Sequence, residues 1–244
     1  MAGSAAFTRN CSIVSNTNNF PALIVERHMT NSSISLAITG ASGVQYGLRL
    51  LEVLLQNGHR VNLMLSKPGQ VVMGMETDAA PPARSSDMAT YFSARFGTPA
   101  ELLEVHGAEE WTAACASGSN PPRAMVICPC SMATLSAVAV GASRSLIERA
   151  ADVMLKERKP LVIVPRETPF SSIHLENMLK LSQAGAVILP PNPGFYGDPR
   201  TLDDIIDFVV GRILDHLSIE HSLGPRWGSD GHAGNGNPDG VESS

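Results

Sequence analysis

The chain has 244 residues, 43% of them hydrophobic and only 5% aromatic, which allows one α/β domain of ordinary size with tails. A formal charge of −5 excludes a surface built for nucleic acid or for an anionic membrane. Four cysteines make no disulfide framework at this length, and the run Cys128-Pro129-Cys130 is unlike zinc-ligand spacing, so they read as small, reduced packing residues.

The N-terminus lacks the charged start, apolar centre and small-residue cleavage site of a secretory signal. No apolar run approaches the ~18–20 residues of a membrane span. The expectation is a cytoplasmic protein that engages neither membrane nor nucleic acid. Residues 1–33 are rich in Asn, Ser and Thr, and residues 221–244 in Gly, Asp, Ser and Asn. Such compositions bury too little to order themselves, so a disordered extension and a flexible tail are expected around one core segment, 34–220.

The core opens on a short apolar strand, Ile34–Ile38, followed by the turn Thr39-Gly40-Ala41-Ser42-Gly43. Leu48, Leu51, Leu54 and Leu55 then recur at helical spacing, and Asn57-Gly58 closes the helix. A strand, a glycine turn and a helix N-terminus together make an anion site, because unpaired N–H groups and the helix dipole both favour negative charge. The glycine order matches neither the dinucleotide fingerprint G-x-G-x-x-G nor a P-loop, which ends in G-K-[ST]. The same turn equally suits a structural role, with Gly47 letting the helix lie close to the sheet.

A second strand over 60–66 leads to a helix over 68–77. Residues 78–123 are the least regular stretch, with a helix around 87–96. Then come a strand over 124–129, a helix from Ser131, a helix over 146–157, a strand over 161–165, a helix over 174–185 and a strand over 186–191. A long final helix starts at Thr201, where Thr201-x-x-Asp204 has the pattern of a capping box. Continuous Val/Ile/Leu strands alternating with helices predict an α/β single domain with a doubly wound parallel sheet covered on both faces.

Ligands of such sheets bind beyond the carboxyl ends of the strands. The residues placed there are Gly40-Ala41-Ser42, Ser66-Lys67, Ser131-Met132-Ala133-Thr134, Arg166-Glu167-Thr168 and Asn192 to Tyr196. Small hydroxyl side chains with one arginine, one glutamate and one tyrosine suit a phosphorylated ligand carrying a flat polar ring. No Ser-His-Asp order and no His/Cys metal spacing occurs among them. Two further cationic features stand out. Arg212 falls within the apolar face Ile205, Phe208, Val209 and Ile213 of the last helix, where its charge needs either an external anion or an intrachain aspartate. Arg149 and Lys156 are seven residues apart and share a helix face, as a solvated surface or as part of a site.

Several stretches, in this order, resemble the flavin prenyltransferases of the UbiX type: "TGASGVQYGLRLLE", "ASGSNPPRAMVICPCSMATLSAVAVG", "LIERAADVMLKERKPLVIVPRETPFSSIHLENMLKLSQAGAVILP", "GFYGDP" and "DFVVGRILDHL". The resemblance covers residues 35 to about 227 and implies a Rossmann-like fold, bound FMN, no metal, and a homododecamer with sites between subunits. It also implies transfer of a dimethylallyl group from dimethylallyl monophosphate to N5 and C6 of reduced FMN, giving prenylated FMN for a decarboxylase of the UbiD type.

By the same resemblance, Gly40, Ala41, Ser42, Ser66, Ser131, Met132, Ala133, Thr134 and Arg166 are expected to bind FMN. Arg149, Lys156, Tyr196 and Arg212 are expected around the prenyl phosphate. Glu167 matches the acid/base near the flavin, and Glu76 and Trp111 match residues lining the prenyl site; with Lys156 and Ser42 these form the expected catalytic set. Gly197-Asp198 departs from the frequent F-Y-H-x-P pattern beside Tyr196. Two alternatives remain open at this point: an FMN-dependent decarboxylase of the peptidyl-cysteine type, although no M-N-x-x-M-W stretch is present, and a non-catalytic flavin-binding protein, which would need neither Glu167 nor the cationic cluster.

Overall fold

Continuous apolar runs become the strands of one parallel sheet, seen in a computed structural model that describes residues 33–79, 81–195 and 197–224. The strands are β1 (Ile34–Ile38), β2 (Val61–Leu65), β3 (Leu103–His106), β4 (Ala124–Cys130), β5 (Leu161–Pro165) and β6 (Val187–Ile188), in the spatial order β3-β2-β1-β4-β5-β6. Between them lie α1 (Val44–Gln56), α2 (Lys67–Glu76), α3 (Ser85–Phe96), α4 (Met132–Ala139), α5 (Leu146–Lys156) and α6 (Ser172–Gln183), and α7 (Leu202–His216) follows β6. Leu36 of β1 pairs with Leu63 on one side and Val126 on the other, so β1 is central.

Successive strand residues point to opposite faces, and each face has its own core. Leu36, Leu63, Val126 and Val162 pack against α1, α3 and α7 through Leu51, Phe92 and Ile213. Ala37, Met125, Ile127 and Ile163 pack against α4, α5 and α6 through Leu135, Ala150 and Leu181. Each fully buried Leu is worth about 1.5–3 kcal/mol relative to exposure, so these helices are held mainly by their apolar stripes. The strand order runs outward from β1 to β3, returns to β4 beside β1, and then runs outward to β6. The expected doubly wound sheet is therefore present, with its switch point between the carboxyl ends of β1 and β4.

Local signals hold closely. Asn57 ends α1 and Gly58 takes φ 76°. Thr201 accepts from the Asp204 N–H at 3.1 Å while Asp204 accepts from the Thr201 N–H at 2.8 Å, closing the capping box of α7. A Cβ at Gly47 would fall closer than 3.0 Å to the Cys128 carbonyl oxygen, so glycine is what lets α1 rest on β4.

Two expectations are corrected. The irregular stretch contains a strand, β3, whose four residues Leu-Glu-Val-His expose only Glu104 but, with two polar side chains, lack the continuous apolar run of the inner strands. The strand expected over 186–191 shrinks to Val187–Ile188, because Pro190 and Pro191 have no N–H to donate to a ladder. The described chain runs to Gly224, four residues past the expected core end at 220. Residues 1–32 and 225–244, which hold most of the expected extension and tail, lie outside the described residues, as do Cys11, Ala80 and Tyr196.

Candidate active site

The switch point is built by one threonine. The Thr39 hydroxyl donates to the Pro129 carbonyl at 2.8 Å and accepts from the Ser131 N–H at 2.8 Å, locking the end of β1 to the end of β4. Ser66 N–H donates to the Ile38 carbonyl at 3.1 Å and Arg166 N–H to the Cys130 carbonyl at 3.1 Å. The ends of β1, β2, β4 and β5 are thus stitched side by side, and Gly40, Ser66, Ser131 and Arg166 follow directly from them. Ser66 caps α2 by accepting from the Gly69 N–H at 3.0 Å, and Ser131 caps α4 by accepting from the Thr134 N–H at 3.3 Å. The Ser131 and Thr134 hydroxyls are 3.1 Å apart. Two helix N-termini and several small hydroxyls therefore face one crevice, and the first-turn N–H groups of Met132 and Ala133 are donors that the helix itself leaves unpaired.

The N-terminus of α1 is different. Gly43, at φ 93°, carries no side chain to cap it. Its N–H and that of Val44 donate instead to Glu76 Oε2 at 2.8 and 3.3 Å, and Gln45 Nε2 donates to the Glu76 carbonyl at 3.2 Å. The chain thus supplies its own anion to the glycine turn, from the last residue of α2. Burial opposes the charge on Glu76, but the Ser42 hydroxyl, the two N–H groups and the Arg166 guanidinium outweigh it and hold the carboxyl below its ordinary range.

Beside the crevice a cavity of about 330 Å³ is lined by Tyr46, Arg166, Glu167, Phe170 and Asn192 among others. Glu167 is exposed at the end of β5, and its carboxylate accepts from the Thr168 N–H at 3.1 Å. Burial pushes the Tyr46 phenol up, as does the Cys128 thiol, against the pull of Arg166. The three described cysteines are free and buried. Burial raises their pKa values, that of Cys115 to about 11, so none is a thiolate nucleophile.

The remaining cations do not converge within one chain. Arg149 donates to Asp152 at 2.7 Å and to the Ala116 carbonyl at 3.2 Å, while Lys156, two turns along α5, pairs with Glu157. Arg212 donates to Asp215 at 2.7 Å and is 53% exposed, so it leaves the apolar face in which its spacing had put it. Helix α5 covers one face of the sheet and α7 the other. Trp111 is 48% exposed in the loop after β3, next to Glu110, whose carboxylate accepts from the Gly107 N–H at 3.0 Å.

Residues 23–214 match the family model described as Flavoprotein. A flavin prenyltransferase UbiX of Pseudomonas aeruginosa is 59% identical over 195 residues, covering 80% of this chain and 93% of that protein. The family is thereby decided. The chain belongs to the UbiX-type flavin prenyltransferases.

Among solved structures, AnUbiX (PadA1) in complex with FMN and dimethylallyl pyrophosphate is 39% identical, with TM-score 0.73, covering 82% of this chain and 98% of that one. A dodecameric FMN-dependent UbiX-like decarboxylase of Escherichia coli O157:H7 is 38% identical, with TM-score 0.72, covering 81% and 100%. In this UbiX-type chain the crevice residues expected to bind FMN are brought together, whereas Arg149, Lys156 and Arg212 are not. Tyr46, in the first turn of α1, lines the cavity beside Arg166 and Glu167 and was not singled out from the sequence, because only the tertiary structure brings α1 to the end of β5. Among the described residues no group of three or more His, Cys, Asp or Glu is placed to hold a metal ion, and no helix is long and apolar enough to cross a membrane.

Proposed function

We propose that this protein transfers a dimethylallyl group from dimethylallyl monophosphate to N5 and C6 of reduced FMN, and that the prenylated FMN serves a decarboxylase of the UbiD type. The observation that supports this most is the crevice itself, in which two capped helix N-termini, small hydroxyls and Arg166 meet at the switch point of the sheet. That donor set fits a flavin mononucleotide: hydroxyls and unpaired N–H groups suit its phosphate and ribityl chain, and Arg166 suits its polar ring edge. Gly40, Ala41, Ser42, Ser66, Ser131, Met132, Ala133, Thr134 and Arg166 would hold it. When bound, the reduced flavin supplies the nucleophilic nitrogen and carbon that the prenyl group joins.

The chain's own residues would do the rest. Breaking the allylic C–O bond leaves negative charge on phosphate, which Arg149, Lys156, Arg212 and Tyr196 would meet as fixed donors. Since α5 and α7 cover opposite faces of the sheet, these groups can act on one phosphate only if neighbouring subunits share a site. A dodecameric relative supports that arrangement, since closed symmetry repeats one interface between all neighbours. Trp111 would offer an aromatic face to the developing cation. Glu167 would take a proton from the ring, and Ser42 would act through Glu76, which it helps keep ionised.

The test is anaerobic incubation of the protein with reduced FMN and dimethylallyl monophosphate, followed by flavin mass. A gain of one isoprenoid unit is expected. Unchanged flavin together with decarboxylation of a cysteine-ended peptide would instead establish the decarboxylase reading. A parallel arm with dimethylallyl pyrophosphate tells which donor is used.

A further inference from the structure

Past the end of α7 the chain turns back along that helix, with Leu217 and Ile219 buried and the Leu217 carbonyl accepting from Arg123 at 3.0 Å. This brings His221, whose side chain is 5% exposed, against α7. Its Nδ1 accepts from the Leu223 N–H at 3.2 Å, which assigns the proton of the neutral ring to Nε2. That nitrogen donates to Asp215 Oδ1 at 3.2 Å, while Asp215 Oδ2 accepts from Arg212 at 2.7 Å. Asp215 therefore joins a buried imidazole to an exposed guanidinium.

Gly211 is the second observation. It lies inside α7, where glycine is among the poorest helix formers. A Cβ there would lie 3.0 Å from His221 Cε1 and 3.3 Å from the Leu223 carbonyl oxygen. The missing side chain makes room for the ring one residue before Arg212. His221, Asp215 and Arg212 line a cavity of about 630 Å³ together with Arg200 and with Asp198, Asp204 and Asp207, whose carboxylates are engaged by Arg200, by the Arg200 N–H and by Arg49 respectively.

An isolated, half-exposed Arg–Asp pair at helical spacing restrains its arginine weakly, because both side chains remain free to rotate. Fixing one carboxylate oxygen from a buried ring removes that freedom, and only part of the five-donor guanidinium is used by Asp215. We propose that His221 is a positioning residue for the donor phosphate: seated in the space left by Gly211, it orients Asp215, which presents Arg212 to the cavity. This rests on the proposed role of Arg212 at the prenyl phosphate.

Steady-state kinetics of the full chain with reduced FMN and dimethylallyl monophosphate test it. His221→Asn is too short to reach Asp215 and should raise the donor KM about tenfold, with kcat within about twofold and FMN affinity unchanged. His221→Gln places its amide near the position of Nε2 and should recover the donor KM to within about threefold of wild type. Adding His221→Asn to Arg212→Ala should raise KM no further than Arg212→Ala alone, since the two residues act in series. An unchanged donor KM in His221→Asn, beside a raised one in Arg212→Ala, overturns the positioning role and leaves the phosphate reading intact. An unchanged KM in Arg212→Ala overturns both. Should His221→Asn fold poorly, Asp215→Asn gives the same readout without disturbing the seat of the ring, and an unchanged KM there refutes the proposal.

Discussion

Replacing Gly47 by alanine tests the packing that positions the crevice. The new Cβ would lie closer than 3.0 Å to the Cys128 carbonyl oxygen and 3.0 Å from two carbons of Ile38. The first contact is with backbone of a central strand and has no rotamer to change, so α1 itself must lift. Overpacking of this kind costs about 1–3 kcal/mol, and the backbone contact argues for the upper part of that range. Alanine regains about 1 kcal/mol of helix propensity, leaving a net loss of about 1–2 kcal/mol. Gly74 in α2 is the control, because a Cβ there meets nothing within 4 Å, and alanine should stabilise the protein by about 0.5–1 kcal/mol. Urea denaturation of both variants reads the two signs directly. Lifting α1 also moves Gly43, Val44 and Tyr46, so Gly47→Ala should weaken FMN binding while Gly74→Ala leaves it unaltered. A Gly47→Ala protein as stable as wild type would refute the claim that this glycine sets the spacing of helix and sheet.

Three further outcomes are expected. Saturating FMN at about a hundred times its dissociation constant should stabilise the protein by about 2.7 kcal/mol, a rise of about 5–10 °C in Tm, and an unmoved Tm would remove FMN as the ligand. Glu167→Gln keeps shape and hydrogen-bonding reach but not the base, so single-turnover formation of prenylated flavin on FMN-loaded protein should slow by ~10²–10⁴-fold with FMN affinity retained; an undiminished rate excludes Glu167 from the chemistry. The Glu76 carboxyl titrates below its ordinary value of 4.5, so its stabilising contribution is complete above that pH and is lost as pH falls through the lower folded value. Glu76→Gln should therefore be less stable than wild type at neutral pH, with the gap closing in acid; a gap that persists in acid would mean the charge on Glu76 is not what holds the turn.

What the sequence determined by itself was local. The Thr201–Asp204 box, the Asn57-Gly58 stop and the close approach at Gly47 were all legible, because each depends on residues within a turn or on the absence of one side chain. The inner strands were legible too, since burial on both faces demands unbroken apolar runs. The short run of β3 at the sheet edge was not, because Glu104 and His106 alternate with Leu103 and Val105 and leave no unbroken apolar run to read. Tertiary structure alone decided that the turn at Gly43 is met by Glu76, a residue from another helix, in answer to donors that the backbone could not satisfy locally. It also decided that α5 and α7 cover opposite faces, so that Arg149 and Lys156 are separated from Arg212. Helical periodicity tells which side of a helix is apolar, but the face of the sheet that receives it follows from the strand order, and that order is set by packing between residues far apart in the chain.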